Sequence, residues 1–208
     1  MLFFKRKQHQ AKLEMSTTQP IHKAEGYLQG QLLVSTPLIT STCFHKSVIY
    51  LFAHNDEGAM GAIINQPLEM VHYSTLLEGD ELPEDEFKEE ISVYNGGPVD
   101  RSRGFVVHTN DYNDEGTIFQ GDSVSVSANT EILRDMITNR GPRKSLLTVG
   151  YAGWAPGQLE QEIEENSWIT VPASEELIFD IDDDMKWSMA SQSLGIDMNF
   201  FSTVVGHA

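Results

Sequence analysis

The chain has 208 residues, of which 40% are apolar and 9% aromatic, enough for one substantial hydrophobic core. Lys and Arg number 14 against 31 Asp and Glu, and residues 25–208 carry 9 basic and 30 acidic side chains, a net charge of −21. A surface this acidic repels phosphate backbones, so direct nucleic-acid binding is disfavoured. We expect one domain over residues 25–208.

The first 24 residues differ in charge from the rest, with five basic side chains and one acid. The apolar stretch Leu2–Phe4 is too short for a signal peptide or a membrane span, so we predict a disordered basic tail over residues 1–24 and no membrane span. Cys43 is the only cysteine, which excludes an internal disulfide and favours a reducing, cytoplasmic compartment.

The first half of the domain predicts mainly strands. Residues 47–54 (SVIYLFAH) and 59–65 (AMGAIIN) flank a polar turn and predict a hairpin, which Pro67 ends. A first strand over residues 26–35 precedes this hairpin, and a short helix over 73–77 follows it. Residues 78–90 hold eight acids, one Lys and one Pro, which is typical of a solvated, mobile loop.

The second half mixes strands with helices. We predict strands at 91–94, 104–109, 122–127 and 168–171, and helices at 130–139 and 182–194. Between them, residues 145–149 (SLLTV) predict a strand that runs into a glycine-rich turn over 150–157, and a helix begins near Pro156. Paired strands with irregularly inserted helices indicate an α+β fold. The apolar side chains within residues 197–208 are enough to dock on the core.

Four motifs occur in one order: GAIINQP at 61–67, GGPVDRSRGFVVH at 96–108, GYAGWAPGQLEQE at 150–162 and GHA at the C-terminus. With these motifs the chain resembles the YqgE/AlgH family from about Gly26 to its end. The resemblance implies a bacterial-type cytosolic domain whose mainly antiparallel sheet curls into a partly closed barrel with flanking helices. It implies no established biochemical activity, although one branch has been described as a transcriptional regulator. Ser41 stands where the family usually has Asp, and Gln66 where it usually has Arg.

The leading functional hypothesis is a binding or regulatory module that recognises a protein partner or a small anionic ligand. The candidate pocket lies between the Gly-Gly-Pro turn and the Gly-Tyr-Ala-Gly-Trp segment. Its candidate residues are Gly96, Gly97, Arg103, His108, Trp154 and Gln158. The two glycines offer backbone N–H groups, Arg103 binds an anionic group, Trp154 stacks and Gln158 orients.

Each of these residues also has a structural interpretation. Arg101 and Arg103 can bond to carboxylates that hold two strands together, Trp154 can pack in the core, and His108 can be a satisfied side chain at the rim of a sheet. Helix-end electrostatics accounts for Glu160 and Glu162.

The alternative hypothesis is a hydrolase in which His108 works with Glu160 or Cys43. The sequence lacks a Gly-x-Ser-x-Gly turn, and Cys43 has no third group that would orient it, so an ordinary cysteine is the competing interpretation. No His-Glu-x-x-His run or His/Cys pair at ligand spacing occurs, so we predict neither a metal nor a cofactor. A direct DNA-binding regulator ranks last.

Overall fold

A computed structural model describes residues 26–77 and 90–195. The predictions for the N-terminal tail, the acidic loop and the C-terminal segment therefore lie outside the described residues. No helix within the two described ranges is long and apolar enough to cross a membrane.

Over the described residues the fold is α+β, with ten strands in one curled sheet. The strands are β1 (Gln31–Ser35), β2 (Val48–Asn55), β3 (Gly58–Ile63), β4 (Pro67–His72), β5 (Glu90–Asn95), β6 (Val99–Thr109), β7 (Thr117–Gln120), β8 (Val124–Ser127), β9 (Ser145–Trp154) and β10 (Trp168–Pro172). The α-helices are α1 (Tyr73–Leu76), α2 (Glu131–Ile137), α3 (Gln158–Glu164) and α4 (Asp183–Gln192). A 3₁₀ turn at Thr42–Phe44 and a π-helix at Glu176–Asp180 complete the elements.

The sheet runs in the order β10-β1-β2-β3-β9-β6-β8-β7, and β4 and β5 branch from it through β9. Neighbouring strands are antiparallel in every described pair except β5 with β9, which is parallel. The sheet curls into a half-barrel, because apolar side chains from both halves meet in one interior cluster. That cluster includes Leu32, Tyr50, Phe105, Val126 and Ile178. The predicted fold class and curled sheet are confirmed.

Two further apolar clusters cover the outside of the sheet. One joins α1 and α2 to β5, β6 and β9 through Tyr73, Ile132 and Leu147. The other packs α3 against β2, β3 and β9 through Leu51, Trp154 and Leu159. Strand β9 contributes to all three clusters, since its side chains alternate between the faces of the sheet. The strand that carries the glycine motif is therefore central to the architecture.

The structure corrects three sequence-based boundaries. Strand β4 begins at Pro67, where we expected a hairpin to end, and among the described strands it pairs only with β5, as suits a proline-headed edge strand. Strand β7 is four residues long and was not predicted. Strand β9 continues through Gly150 to Trp154, so the predicted turn over residues 150–157 is confined to the last three of them.

Candidate functional site

The Gly-Gly-Pro turn packs directly on the middle of β9. The Gly96 N–H donates to the Val149 carbonyl at 2.8 Å, and the Gly96 carbonyl accepts from the Ile63 N–H at 2.9 Å. Gly97 has φ +148°, and a Cβ built there would lie 2.3 Å from the Tyr151 carbonyl. A side chain at Gly97 would thus displace backbone. The structure brings together Gly96 and Gly150, which are 54 residues apart in the sequence, and a Cβ at Gly96 would lie 2.2 Å from the Gly150 carbonyl oxygen.

Beside this contact, β6 bulges away from β9. Val99 is paired with Tyr151 and Gly104 with Val149, so that residues 100–103 all lie opposite Gly150. Asp100 adopts a left-handed conformation with φ 40°, and its carboxylate accepts a hydrogen bond from the Ser102 hydroxyl at 2.6 Å. Extra residues in one strand of a pair push it out of the ladder and redirect its side chains. The bulge therefore carries Arg101 and Arg103 to the exposed surface.

The Arg103 guanidinium stacks on the Phe105 ring, which in turn packs against Tyr151. The guanidinium carbon lies 4.9 Å from the centre of the Phe105 ring. The Phe105 and Tyr151 rings are arranged edge to face, with their centres 6.0 Å apart. Guanidinium groups stack well on aromatic faces and leave their N–H donors free at the edges. Arg103 is thereby positioned without using the hydrogen bonds that an anionic group would require.

The arginines of the bulge differ from most other described basic residues. Arg140, Arg143, Lys144 and Lys186 each form an ion pair with an Asp or Glu. Among the ion pairs between described residues, none includes Arg101 or Arg103. The structural interpretation, in which carboxylates bind these two side chains and hold strands together, is not supported by the described contacts.

Trp154 lies on the opposite face of the sheet from Arg103. It is buried in the cluster under α3, whereas Phe105 and Tyr151 belong to the interior cluster of the half-barrel. Its indole N–H donates to Glu162 Oε2 at 2.8 Å, and Trp168 donates to the same oxygen at 2.7 Å. This arrangement gives Trp154 a packing role and corrects the expectation that it shares one hollow with Arg103.

Gln158 belongs to the same group as Trp154. Its side-chain oxygen accepts from the Ala155 N–H at 3.0 Å, and its amide nitrogen donates to Glu162 Oε1 at 2.8 Å. These two bonds fix the entry into α3, which begins after the left-handed Gly157. The amide therefore completes a helix start on the side of the sheet away from the bulge.

His108 is fully buried at the far end of β6, where it pairs with Ser145. Its Nδ1 donates to the Thr109 carbonyl at 2.8 Å, and its Nε2 accepts from the Ser127 hydroxyl at 3.0 Å. Burial lowers the pKa of His108, against smaller opposing effects from the Thr109 hydrogen bond, Asp114 and Asp111. His108 is thus a neutral, satisfied side chain distant from the Gly-Gly-Pro turn, and its predicted place beside that turn is corrected.

The described contacts also separate the groups of the hydrolase hypothesis. Glu160 accepts a hydrogen bond from His54 Nε2 at 2.8 Å, while the Leu28 N–H donates to His54 Nδ1 at 3.0 Å. The pKa of Glu160 is lowered, first by a hydrogen bond from its own backbone N–H and then by His54, against an opposing effect of burial. Cys43 is half-buried in the 3₁₀ turn, where its carbonyl accepts from the Gln66 amide at 3.1 Å. His108 has other partners, so the three groups do not form one cleft.

Sequence reasoning missed the structural roles of four polar residues. The contact between His54 and Glu160 joins residues 106 positions apart, for which spacing gives no signal. Glu162 binds two indoles, and only its i, i+4 spacing from Gln158 could have indicated part of that network. Gln66, in place of the family's usual Arg, accepts from the Asn95 amide at 2.8 Å and so connects β5 to the 3₁₀ turn.

Comparisons with known proteins agree with this architecture. The AlgH-like family pattern (DUF179) matches residues 32–199. A UPF0301 protein of Mesorhizobium japonicum is 44% identical over 189 residues, covering 88% of this chain and 94% of that protein. A UPF0301 protein of Rhodospirillum rubrum is 40% identical, covering 90% and 98%.

Two solved structures share the fold. The solution structure of the AlgH protein from Pseudomonas aeruginosa superposes with a TM-score of 0.69 at 34% identity, covering 90% of this chain and 99% of that one. The crystal structure of a Corynebacterium diphtheriae protein gives a TM-score of 0.62 at 22% identity, covering 85% and 92%. The sequence match, the curled sheet and the two packed glycine motifs together show that this chain belongs to the AlgH-like, UPF0301 family.

Proposed function

We propose that the chain is a cytosolic binding and regulatory module that recognises an acidic segment of a protein partner at the bulge formed by residues 100–103. One observation carries this proposal: the bulge exposes two guanidinium groups, and neither forms an ion pair with a described carboxylate. Arginine favours bidentate hydrogen bonds to carboxylates, and such charge-assisted bonds are the stronger ones.

The shape of the site favours a protein surface as the ligand. Residues 99–103 are all exposed, and the glycine turn behind them is closed by its own contact with β9. Small-molecule sites are normally concave and enclose most of the ligand, whereas an exposed bulge offers only one side. An extended acidic segment can contact Arg101 and Arg103 together without needing a cavity.

The net charge of the protein opposes long-range attraction of an acidic partner but does not prevent contact. At physiological ionic strength the Debye length is about 8 Å, so that acids elsewhere on the surface are largely screened. Guanidinium groups in direct contact are screened much less. Arg103 is also held against Phe105, which reduces the conformational entropy lost on binding.

The test is a titration of the full chain with a fluorescent peptide rich in Glu, followed by fluorescence anisotropy and by the backbone amide signals of residues 97–104. We expect the Arg101→Ala/Arg103→Ala double variant to weaken binding at least about tenfold, because each charge-assisted bond contributes about 1.5–3 kcal/mol. The matched control is Arg140→Ala, which removes an exposed arginine that is already paired with Asp135.

Binding that persists in the double variant would refute the proposal, as would signal changes that avoid residues 97–104. Inorganic phosphate serves as the second probe. If phosphate shifts the same amides at low concentration and the peptide does not, the site takes a small anion and the partner assignment is wrong.

A further inference from the structure

A second candidate site lies across the open side of the half-barrel. Residues that precede β1, residues of the β7–β8 hairpin and Ala173 after β10 enclose a pocket of about 250 Å³. Its lining residues include Gln29, Tyr50, Phe119, Asp122 and Ser123. Because β10 and β7 are the two ends of the main strand order, this pocket lies where the edges of the sheet approach each other.

An unpartnered acceptor lies in the wall of this pocket. Gln29 is only 9% exposed, and within the described residues no donor reaches its buried Oε1. A buried amide oxygen without a hydrogen bond is destabilising, so native structures rarely leave one unpaired. A ligand that donates a hydrogen bond to Gln29 would remove this cost.

Two further groups of the pocket, the Tyr50 oxygen and the Asp122 carboxylate, can accept hydrogen bonds, while Gln120 and Ser123 can both donate and accept. The Tyr50 hydroxyl gives its proton to the Val124 carbonyl at 2.8 Å and keeps its oxygen lone pairs available. The Asp122 carboxylate adds a negative charge, and none of the described residues that line the pocket is basic. Burial, and then the nearby charge of Asp122, raise the pKa of Tyr50, so its phenol remains neutral at physiological pH.

We propose that this pocket binds a small organic cation with N–H donors, a primary ammonium or a guanidinium, through the Gln29 amide oxygen, the Tyr50 oxygen and the Asp122 carboxylate. A volume near 250 Å³ is below the range of drug-sized sites, which fits a ligand of a few heavy atoms. The Phe119 and Tyr50 rings are arranged edge to face, with their centres 6.1 Å apart. Phe119 therefore supplies an apolar wall for the carbon atoms of an amine. This site is independent of the bulge, so either proposal can fail without the other.

The experiment titrates the full chain with 1,4-diaminobutane and with guanidinium chloride, monitoring the side-chain amide signals of Gln29 and the heat of binding. We expect both probes to shift the Gln29 signals. The neutral isostere 1,4-butanediol is expected to bind at least about tenfold more weakly, because it lacks the charge that Asp122 attracts.

Substitutions at Gln29 and Asp122 test whether these two side chains contact the bound cation. Gln29→Leu and Asp122→Asn are each expected to weaken diamine binding about tenfold, while Asp56→Asn, in the turn between β2 and β3, leaves it unchanged. If Gln29→Leu does not fold, Gln29→Glu provides the opposite test, since an added negative charge should tighten binding.

Three results would overturn the proposal: no shift of the Gln29 signals by either probe, equal binding of the diol, or unchanged diamine affinity in both Gln29→Leu and Asp122→Asn. Calcium chloride is the remaining probe. Tighter binding of the calcium ion than of either nitrogen cation would reassign the pocket to a metal ion and refute the amine.

Discussion

The two halves of β6 show how one strand can serve two different purposes. Its first half, residues 99–103, is exposed, and residues 100–103 leave the ladder as a bulge with two arginines that form no ion pair with the described carboxylates. Its second half, residues 104–109, is wholly buried and places His108 between two hydrogen-bond partners. The difference arises at Gly150, where β9 and the Gly-Gly-Pro turn approach closely and force the four residues of the bulge outward. In this strand, the polar residues that are satisfied contribute to stability, and those without a described partner are available for recognition.

The largest expected effect on the free energy of unfolding comes from disturbing the contact between the Gly-Gly-Pro turn and β9, which lies where the two halves of β6 meet. Gly97→Ala places a Cβ 2.3 Å from the Tyr151 backbone at a φ of +148°, so we expect a loss of more than about 3 kcal/mol in the free energy of unfolding, or no folded protein. Urea denaturation followed by tryptophan fluorescence measures the loss.

Gly153→Ala is the matched control for this change. Gly153 lies on β9, the strand on which Gly97 packs, and its new Cβ would meet the movable Tyr151 ring at 3.3 Å, so its cost should stay below about 1 kcal/mol. Equal stability of Gly97→Ala and Gly153→Ala would show that the bulge in β6 does not depend on the close packing of the Gly-Gly-Pro turn on β9.

The next effect tests the buried half through pH. Burial lowers the folded-state pKa of His108 below its ordinary value, so the unfolded chain takes up a proton more readily than the folded one. Stability is therefore fully present above about pH 6.5 and decreases as the pH falls below it. His108→Gln should lower the free energy of unfolding by about 1–3 kcal/mol at pH 7.5, because it disturbs the hydrogen bonds to Thr109 and Ser127. The free energy of unfolding of this variant should also fall less steeply than that of the original chain between about pH 6.5 and 5.

His72→Gln provides the comparison, since His72 lies exposed on the edge strand β4 and its replacement retains the His108 contribution. Urea midpoints at several pH values distinguish the two variants. An unchanged pH slope in His108→Gln would show that this imidazole binds protons equally in the folded and unfolded states, contrary to the lowered pKa that its burial causes. Loss of acidic-peptide binding by His108→Gln with the fold intact would place His108 in the recognition site after all.

The sequence predicted the fold class well because periodicity and turn chemistry are local signals. The β2–β3 hairpin, α1 and α2 follow from alternating or helical patterns near Asn55–Gly58, Tyr73 and Ile132. Strand β4 was missed because Pro67 is compatible with either the end of a hairpin or the first residue of an edge strand. Strand β9 was cut short because Gly150, with φ +74°, has the conformation of a turn residue inside a strand.

The candidate site was less predictable than the fold. The face of the sheet on which each side chain lies depends on backbone irregularities, and the alternation pattern of the sequence does not reveal them. The four-residue bulge in β6 and the left-handed Gly150 in β9 change which face each later residue occupies. Sequence motifs correctly indicated that the two glycine segments belong together. They could not show that Trp154 faces Glu162 under α3 while Arg103 lies over Phe105 on the other side.

The smallest expected effect concerns the exposed half of β6. Arg103→Ala removes a cation–π contact at an exposed position, which contributes about 0.5–1 kcal/mol, and Arg101→Ala removes no described ion pair and should cost less. Urea denaturation of both variants beside Arg103→Lys measures these costs, and the lysine variant should recover part of the ring contact while losing bidentate binding. A cost above about 2 kcal/mol for Arg103→Ala would mean that the guanidinium holds the bulge against β9, because an exposed ring contact alone does not contribute so much. In that case the two halves of β6 would both be structural, and the acidic partner would have to be sought at another surface.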